Sequence, residues 1–339
     1  MSSNHEHNRP EIQERDTRLF LGLLESRVMT REQLAELYFS GSYEVAKKRL
    51  AKLTKSGFVV ERKPKANPGY FFASILSLGR QGFETLRLAQ RLPSFSKIPM
   101  TYEDVVDRVA LARSTINHEI ELIDHKVALS RALDKHASSS LIQFLTWPAH
   151  FQFETGNGEF GKRPPLLKPD AFIVIREEDV GEHSFFLEYD RATEVTSQLA
   201  RKASGYHYFY TSGGFAERGG LAREDYRQQP FRVLYVLPSQ ERRNSIAERL
   251  LQVGRLGVPQ DGQPTLMKNQ HWLTTSAAFL DDPLGPIWLT LGEYWRATEG
   301  TVYDPCDHVT KFRVSARDRL VTERVQLVPL MPPSEVSHG

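Results

Sequence analysis

The sequence has a single cysteine, Cys306, and no long apolar run. One cysteine excludes an intramolecular disulfide framework and any zinc site with two or more thiolate ligands. Because no apolar stretch reaches about 18 residues and the segment Met1–Pro10 is polar, we expect a cytoplasmic protein with no membrane span and no secretory signal. The absence of a Walker A loop and a GxSxG elbow disfavours ATP-driven and acyl-transfer chemistry.

The chain also lacks a strong charge of either sign, with 44 Lys and Arg against 42 Asp and Glu, a net charge of +2. A nucleic-acid partner therefore requires that basic side chains be concentrated on one face. The length of 339 residues predicts two domains. The predicted boundaries are a disordered N-terminus over 1–14, a first domain over 15–90, a linker over 91–100, a second domain over 101–330 and a flexible tail over 331–339.

Hydrophobic periodicity in the first domain predicts three short helices followed by a β-hairpin. Thr30 stands three residues before Gln33, the pattern of a capping box, and Gly57 is placed to end the third helix. This order is typical of a winged helix-turn-helix. The elements are a helix over Arg15–Arg27, a second that begins at Thr30, a third over Tyr43–Ser56, and a hairpin of Phe58–Val60 and Tyr70–Phe72.

Lysines gather on one face of the third helix, opposite Leu50 and Leu53. A helix with this face beside a basic hairpin suits a DNA major groove with flanking phosphate contacts. A solvated helix face and a dimerisation surface are the alternatives. The candidate DNA-binding residues are Ser42, Tyr43, Lys47, Lys48, Lys52, Lys55, Arg62, Lys63 and Lys65.

The second domain reads as helix, three strands, helix, strand, which predicts an α/β fold (α+β overall) with a mixed sheet flanked by helices. The elements are a long helix over Tyr102–His136, strands over Ile142–Trp147 with Phe151–Phe153, Ala171–Ile175 and Phe185–Asp190, a helix over Glu194–Tyr210, a strand over Phe231–Leu237 and a helix over Glu241–Val253.

Three carboxylates stand at the ends of two of these strands. Pro169 and Asp170 precede an apolar strand, and Glu188 and Asp190 lie two residues apart on one face of the next. Burying three carboxylates together is costly unless a cation neutralises them. We therefore predict a Mg²⁺ site at Asp170, Glu188 and Asp190, with a strand-end salt-bridge network as the alternative.

This arrangement resembles the PD-(D/E)XK nuclease superfamily, whose core has the same element order. The resemblance implies that Asp170 matches the motif's aspartate and Glu188 its second acid. The chain departs from the motif at the lysine position, which is Asp190. Some members are said to take the lysine from the following helix, so Lys202 is the candidate. The implied catalytic residues are Asp170, Glu188, Asp190 and Lys202.

A closer resemblance is to the replication-relaxation family of plasmids and integrative elements. It is carried by dispersed segments between about Arg15 and Trp288: His118, Glu188–Glu194, Arg201–Tyr206, Phe231–Val236 with Arg242 or Arg243, and Pro283–Trp288. The family is associated with plasmid replication and DNA relaxation, which implies work on mobile-element DNA.

Three functions follow as hypotheses. The first is a double-stranded DNA-binding accessory of plasmid replication or relaxation, with a degenerate nuclease-like domain, acting with other replication or relaxation proteins or as a homodimer. The second is a working Mg²⁺-dependent endonuclease. The third is a winged-helix transcriptional regulator.

Overall fold

The structure is a computed structural model of the full chain. It describes residues 10–62, 74–92, 100–110, 113–147, 151–156, 165–191, 196–256, 270–298 and 310–331. The described residues divide into two compact units. The first contains those up to Val127 together with 144–147, and the second contains 128–143 and those from Phe151 onward.

The first unit combines short helices with a small antiparallel sheet in the strand order β1-β3-β2. In this sheet Met29 pairs with Leu76, and Val59 pairs with Leu78. The elements are α1 (Glu14–Glu25), β1 (Met29–Thr30), α2 (Arg31–Tyr38), α3 (Tyr43–Lys55), β2 (Val59–Arg62), β3 (Ile75–Leu78), α4 (Arg80–Leu88), α5 (Tyr102–Val109) and α6 (Arg113–Leu133).

Two helix ends in this unit form as their sequence predicts. The Thr30 hydroxyl accepts from the Gln33 N–H at 3.2 Å, and the Gln33 side chain accepts from the Thr30 N–H at 2.9 Å, which is a capping box. At the end of α3, Gly57 adopts a φ of +72°, and the Phe58 N–H donates to the Leu53 carbonyl at 2.9 Å. This is a Schellman ending, for which glycine is favoured.

The strand paired with β2 lies farther along the chain than the sequence predicts. It is Ile75–Leu78, whereas the predicted partner Tyr70–Phe72 lies outside the described residues. The sheet also includes β1, a two-residue strand that periodicity could not reveal because alternation needs four or more residues to be recognised.

The predicted long helix over Tyr102–His136 is in fact two helices, α5 and α6. Ala110 leaves the helical conformation at ψ 64°, although the apolar spacing continues across it. Val105 and Ile123 both belong to the core of the first unit. That unit therefore extends beyond the predicted 15–90 domain and the 91–100 linker, because α5 and most of α6 bury their apolar side chains in it.

The second unit contains a six-stranded mixed sheet in the order β11-β10-β9-β8-β7-β4. β7 and β8 are antiparallel, β8, β9 and β10 run parallel to one another, and β11 is antiparallel to β10. The mixed α/β class is as predicted. The strands of the second half of the chain are β4 (Ser139–Leu145), β5 (Phe153–Glu154), β6 (Leu166–Leu167), β7 (Ala171–Glu177), β8 (Gly181–Tyr189), β9 (Phe231–Leu237), β10 (His271–Thr275) and β11 (Leu289–Thr290).

Helix α7 (Thr196–Thr211) follows β8 and packs on an aromatic cluster. The Phe186 ring lies 5.3 Å from Tyr206 and 5.0 Å from Phe231, centroid to centroid, and Phe153 stacks on Phe209 at 3.9 Å. Phe153 belongs to the separate two-stranded sheet β5-β6. Aromatic packing thus fixes α7 against the strand that carries Glu188.

The remaining helices complete the second unit. They are α8 (Gly214–Arg218), a 3₁₀ helix over Arg223–Gln228, α9 (Gln240–Leu256), α10 (Ser276–Asp281), α11 (Leu291–Ala297) and α12 (Thr310–Arg324). α9 packs against α7, α11 and α12. Among the described residues, no helix has the length and apolar content required to cross a bilayer.

Candidate functional site

The outer face of α3 carries the predicted lysines. Lys47, Lys48, Lys52 and Lys55 are all exposed, while Ala46, Leu50 and Leu53 on the opposite face are buried. Apolar spacing explains the exposure of the lysines and the burial of Leu50 and Leu53, because packing the apolar side of α3 into the core leaves the lysine positions pointing outward. α3 therefore presents a row of exposed ammonium groups.

Arg49 on the same helix does not join this row. Its Nε donates to Asp16 Oδ1 at 3.0 Å, and its Nη2 donates to Asp16 Oδ2. Asp16 is fully buried, so Arg49 neutralises a carboxylate in the core and holds α3 to α1. Although Arg49 is a base-reading residue type in the sequence, its guanidinium is committed to the fold.

The start of α3 is exposed at Ser42 and Tyr43. Ser42 occupies the N-cap position without a side-chain capping bond, and Tyr43 is 37% exposed. A hydrogen bond with Tyr43 raises the pKa of Arg31, whose Nη2 also pairs with Glu61 Oε1 at 2.7 Å. These contacts connect the N-terminus of α3 to strand β2.

The predicted wing residues are only partly described. Arg62, at the end of β2, is exposed and donates to the Val109 carbonyl at 3.2 Å. Lys63 and Lys65 lie outside the described residues. Of the predicted basic residues, the structure therefore describes the four lysines of α3 and Arg62.

In the second unit, the structure brings Glu188 and Lys202 together. Glu188 is 1% exposed, and its Oε2 accepts from Lys202 Nζ at 2.7 Å. Its Oε1 accepts from the Tyr206 hydroxyl at 2.6 Å. Tyr206 was missed as a site residue, although its spacing of four from Lys202 places both side chains on one face of α7.

Asp170 lies beside Glu188 across the β7–β8 pair. Its N–H donates to the Leu187 carbonyl at 3.0 Å, and its Oδ2 accepts from the Tyr189 N–H at 2.7 Å, so the two bonds bracket Glu188. Burial raises the pKa of Glu188 to about 7; Lys202 opposes this rise, and the charge of Asp170 adds to it.

Asp190 has a different partner. Its Oδ2 accepts from Arg242 Nε at 2.7 Å, while its buried Oδ1 has no hydrogen-bond partner among the described residues. Within the described ranges, no group of three or more His, Cys, Asp or Glu side chains is arranged to hold a metal ion. Among the described residues the predicted site of three carboxylates is therefore not formed: Asp170 and Glu188 lie side by side, and Asp190 is paired with Arg242.

A pocket of about 200 Å³ opens beside Lys202. Leu166, Leu167 and Pro165 form apolar walls, and Arg201 and Lys202 contribute positive charge. Thr155 and Gln198 complete the lining. The pocket thus combines apolar walls with two cationic side chains, of which Lys202 is already bonded to Glu188.

Comparison with protein families places the chain beside a known family. The family model described as replication-relaxation matches residues 21–223, which include α3, α7 and the acidic cluster of Asp170, Glu188 and Asp190. Searches of curated proteins and of solved structures returned no significant match.

Proposed function

Since the chain belongs to the replication-relaxation family, we propose that it binds double-stranded DNA in plasmid or mobile-element replication. Family membership itself indicates a role in such replication. The DNA-binding part of the proposal rests on one observation, the four exposed lysines of α3.

The surroundings of α3 support this function. α2 and α3 are followed by strands β2 and β3, the order expected of a winged helix-turn-helix, in which the second helix of the motif enters the major groove. Each lysine that meets a phosphate releases a condensed counterion, so the affinity should fall steeply with salt. The near-neutral net charge of +2 is no obstacle, because the lysines are gathered on one face.

Salt-dependent duplex binding tests the proposal. Lys48→Ala/Lys52→Ala removes two charges from the α3 face, and Lys135→Ala/Arg176→Ala removes two exposed charges elsewhere as a matched control. Fluorescence anisotropy with a labelled duplex at several salt concentrations should give a log–log slope reduced by about 2 for the α3 variant, because each phosphate contact contributes about 0.9. The control should keep the wild-type slope. If the α3 variant binds as the wild type does, the proposal fails.

A second candidate function, metal-dependent DNA cleavage, is favoured by the bond between Lys202 Nζ and Glu188 Oε2. In this pair the lysine comes from α7, the helix that follows β8, as the nuclease resemblance implies. Asp170 and Glu188 would hold Mg²⁺, which when bound provides a Lewis acid for phosphodiester hydrolysis. Lys202 would orient Glu188 and face the phosphate of a strand that occupies the adjacent pocket.

Nicking of supercoiled plasmid in Mg²⁺ tests this second function. Lys202→Met and Asp170→Asn should abolish cleavage, whereas Glu178→Gln, a change at an exposed turn, should leave it intact. EDTA should stop the reaction. Folded wild-type protein that binds plasmid yet never nicks it would remove this candidate and leave the first function standing.

A further inference from the structure

Glu44 interrupts the lysine face of α3. It is the only acidic residue of this helix and lies in its first turn, with a side chain that is 69% exposed. Its ion-pair partner is Lys47 Nζ at 3.8 Å, a loose contact between two exposed groups. Glu44 is therefore a carboxylate held within a surface that we propose meets DNA.

Phosphates repel such a carboxylate, so its position needs a reason if α3 docks on a duplex. A carboxylate is tolerated where it faces base edges instead of the backbone, because the cytosine N4 amino group is a hydrogen-bond donor in the major groove. The N-terminal residues of a recognition helix are the ones that reach base edges. Glu44, in the first turn, has this position.

The neighbouring residue, Val45, is an exposed apolar side chain. Val45 is 49% exposed, whereas Ala46, Leu50 and Leu53 of the same helix are buried. An apolar side chain at the start of a recognition helix can contact the thymine methyl group. The carboxylate of Glu44 accepts hydrogen bonds and the side chain of Val45 is apolar, and both kinds of group can contact base edges.

We propose that Glu44 accepts a hydrogen bond from cytosine N4 in the major groove and that Val45 contacts a thymine methyl group, so that the chain binds DNA with sequence preference. This inference depends on the proposed duplex binding by α3. It makes Glu44 a specificity-determining residue, distinct from the lysines that hold the backbone.

Stabilisation of the helix is an alternative explanation for the position of Glu44. An acidic residue in the first turn stabilises a helix through the helix dipole. Glu32 has that role by position, in the first turn of α2. The two explanations predict different results, because loss of a dipole interaction lowers stability without changing which base is preferred.

Selection from a randomised duplex library distinguishes them. The variants are Glu44→Ala and Glu44→Gln, with Glu32→Gln as the control that removes a first-turn carboxylate from a helix without the lysine face. The wild type should enrich cytosine at one position, and Glu44→Ala should lose this preference by about tenfold while binding unselected duplex at least as tightly as the wild type does. Glu44→Gln should change the preference towards adenine, which glutamine reads through N6 and N7.

Each outcome has a distinct meaning. If wild type and both Glu44 variants enrich the same sequence, or the wild type binds duplex with no preference, the base-reading role is refuted while duplex binding stands. If the folded wild type binds no duplex at all, the proposed function fails together with the inference. Glu32→Gln should retain the wild-type motif; a motif lost in both Gln variants would show a general effect on the unit and refute a specific role of Glu44.

Discussion

Replacing Glu188 with glutamine should make stability less dependent on pH, because the folded protein holds a proton on this carboxyl more tightly than the unfolded chain does. Burial raises its pKa to about 7 from an ordinary 4.5, even with Lys202 at 2.7 Å. This difference corresponds to about 3 kcal/mol. The contribution is fully present below the unfolded pKa and is lost as the pH rises through the folded value.

Urea unfolding of metal-free protein in EDTA, followed by tryptophan fluorescence between about pH 4.5 and 8, measures this effect. The unfolding free energy of Glu188→Gln minus that of the wild type should increase by about 3 kcal/mol over this range. Glu178→Gln, the same chemical change at an exposed turn, is the control. A difference for Glu188→Gln that does not vary with pH would mean that Lys202 keeps the carboxylate ionised, and the reasoning from burial would be refuted.

Three further changes test the first unit by the same unfolding measurement. Arg49→Met should cost about 3–5 kcal/mol because it leaves the buried Asp16 carboxylate unpaired, and adding Asp16→Asn should recover much of the loss. Thr30→Ala should cost about 1 kcal/mol by removing the cap of α2, with Thr30→Ser as a variant that retains it. Gly79→Ala should cost about 1–3 kcal/mol because its Cβ would lie 2.3 Å from the Gly57 carbonyl oxygen; a stability equal to wild type would show that this backbone yields easily.

Local sequence signals predicted the helices of the first unit well. The capping box at Thr30 and the glycine after α3 were recognisable because both depend on residues three or four apart. The division between α5 and α6 was not recognisable, since the apolar stripe continues through Ala110. The limits of the first unit depend on which hydrophobic core α5 and α6 pack against. A periodic apolar pattern does not identify that core.

The acidic cluster shows the same limit. Strand alternation correctly put Glu188 and Asp190 near a strand end, and helical spacing correctly turned Lys202 towards the sheet, where it reaches Glu188. Spacing could not assign a partner to Asp190, because Arg242 lies 52 residues away, in the first turn of α9. Long-range ion pairs of this kind decide the partner of a buried carboxylate, and local spacing does not reveal them.

The two candidate sites should respond to different solution variables, and this allows their roles to be separated in one protein. The lysines of α3 are exposed, so their attraction to phosphate is screened by salt. Glu188 is buried against Lys202 and Tyr206, so salt reaches it poorly, while protonation near pH 7 changes its charge. Duplex binding should therefore follow ionic strength with little change between about pH 6 and 8, whereas any cleavage at limiting Mg²⁺ should rise with pH, because protons and the cation compete for the Glu188 carboxyl. If the cleavage rate at saturating DNA changed with salt but not with pH, Glu188 would take no part in the reaction.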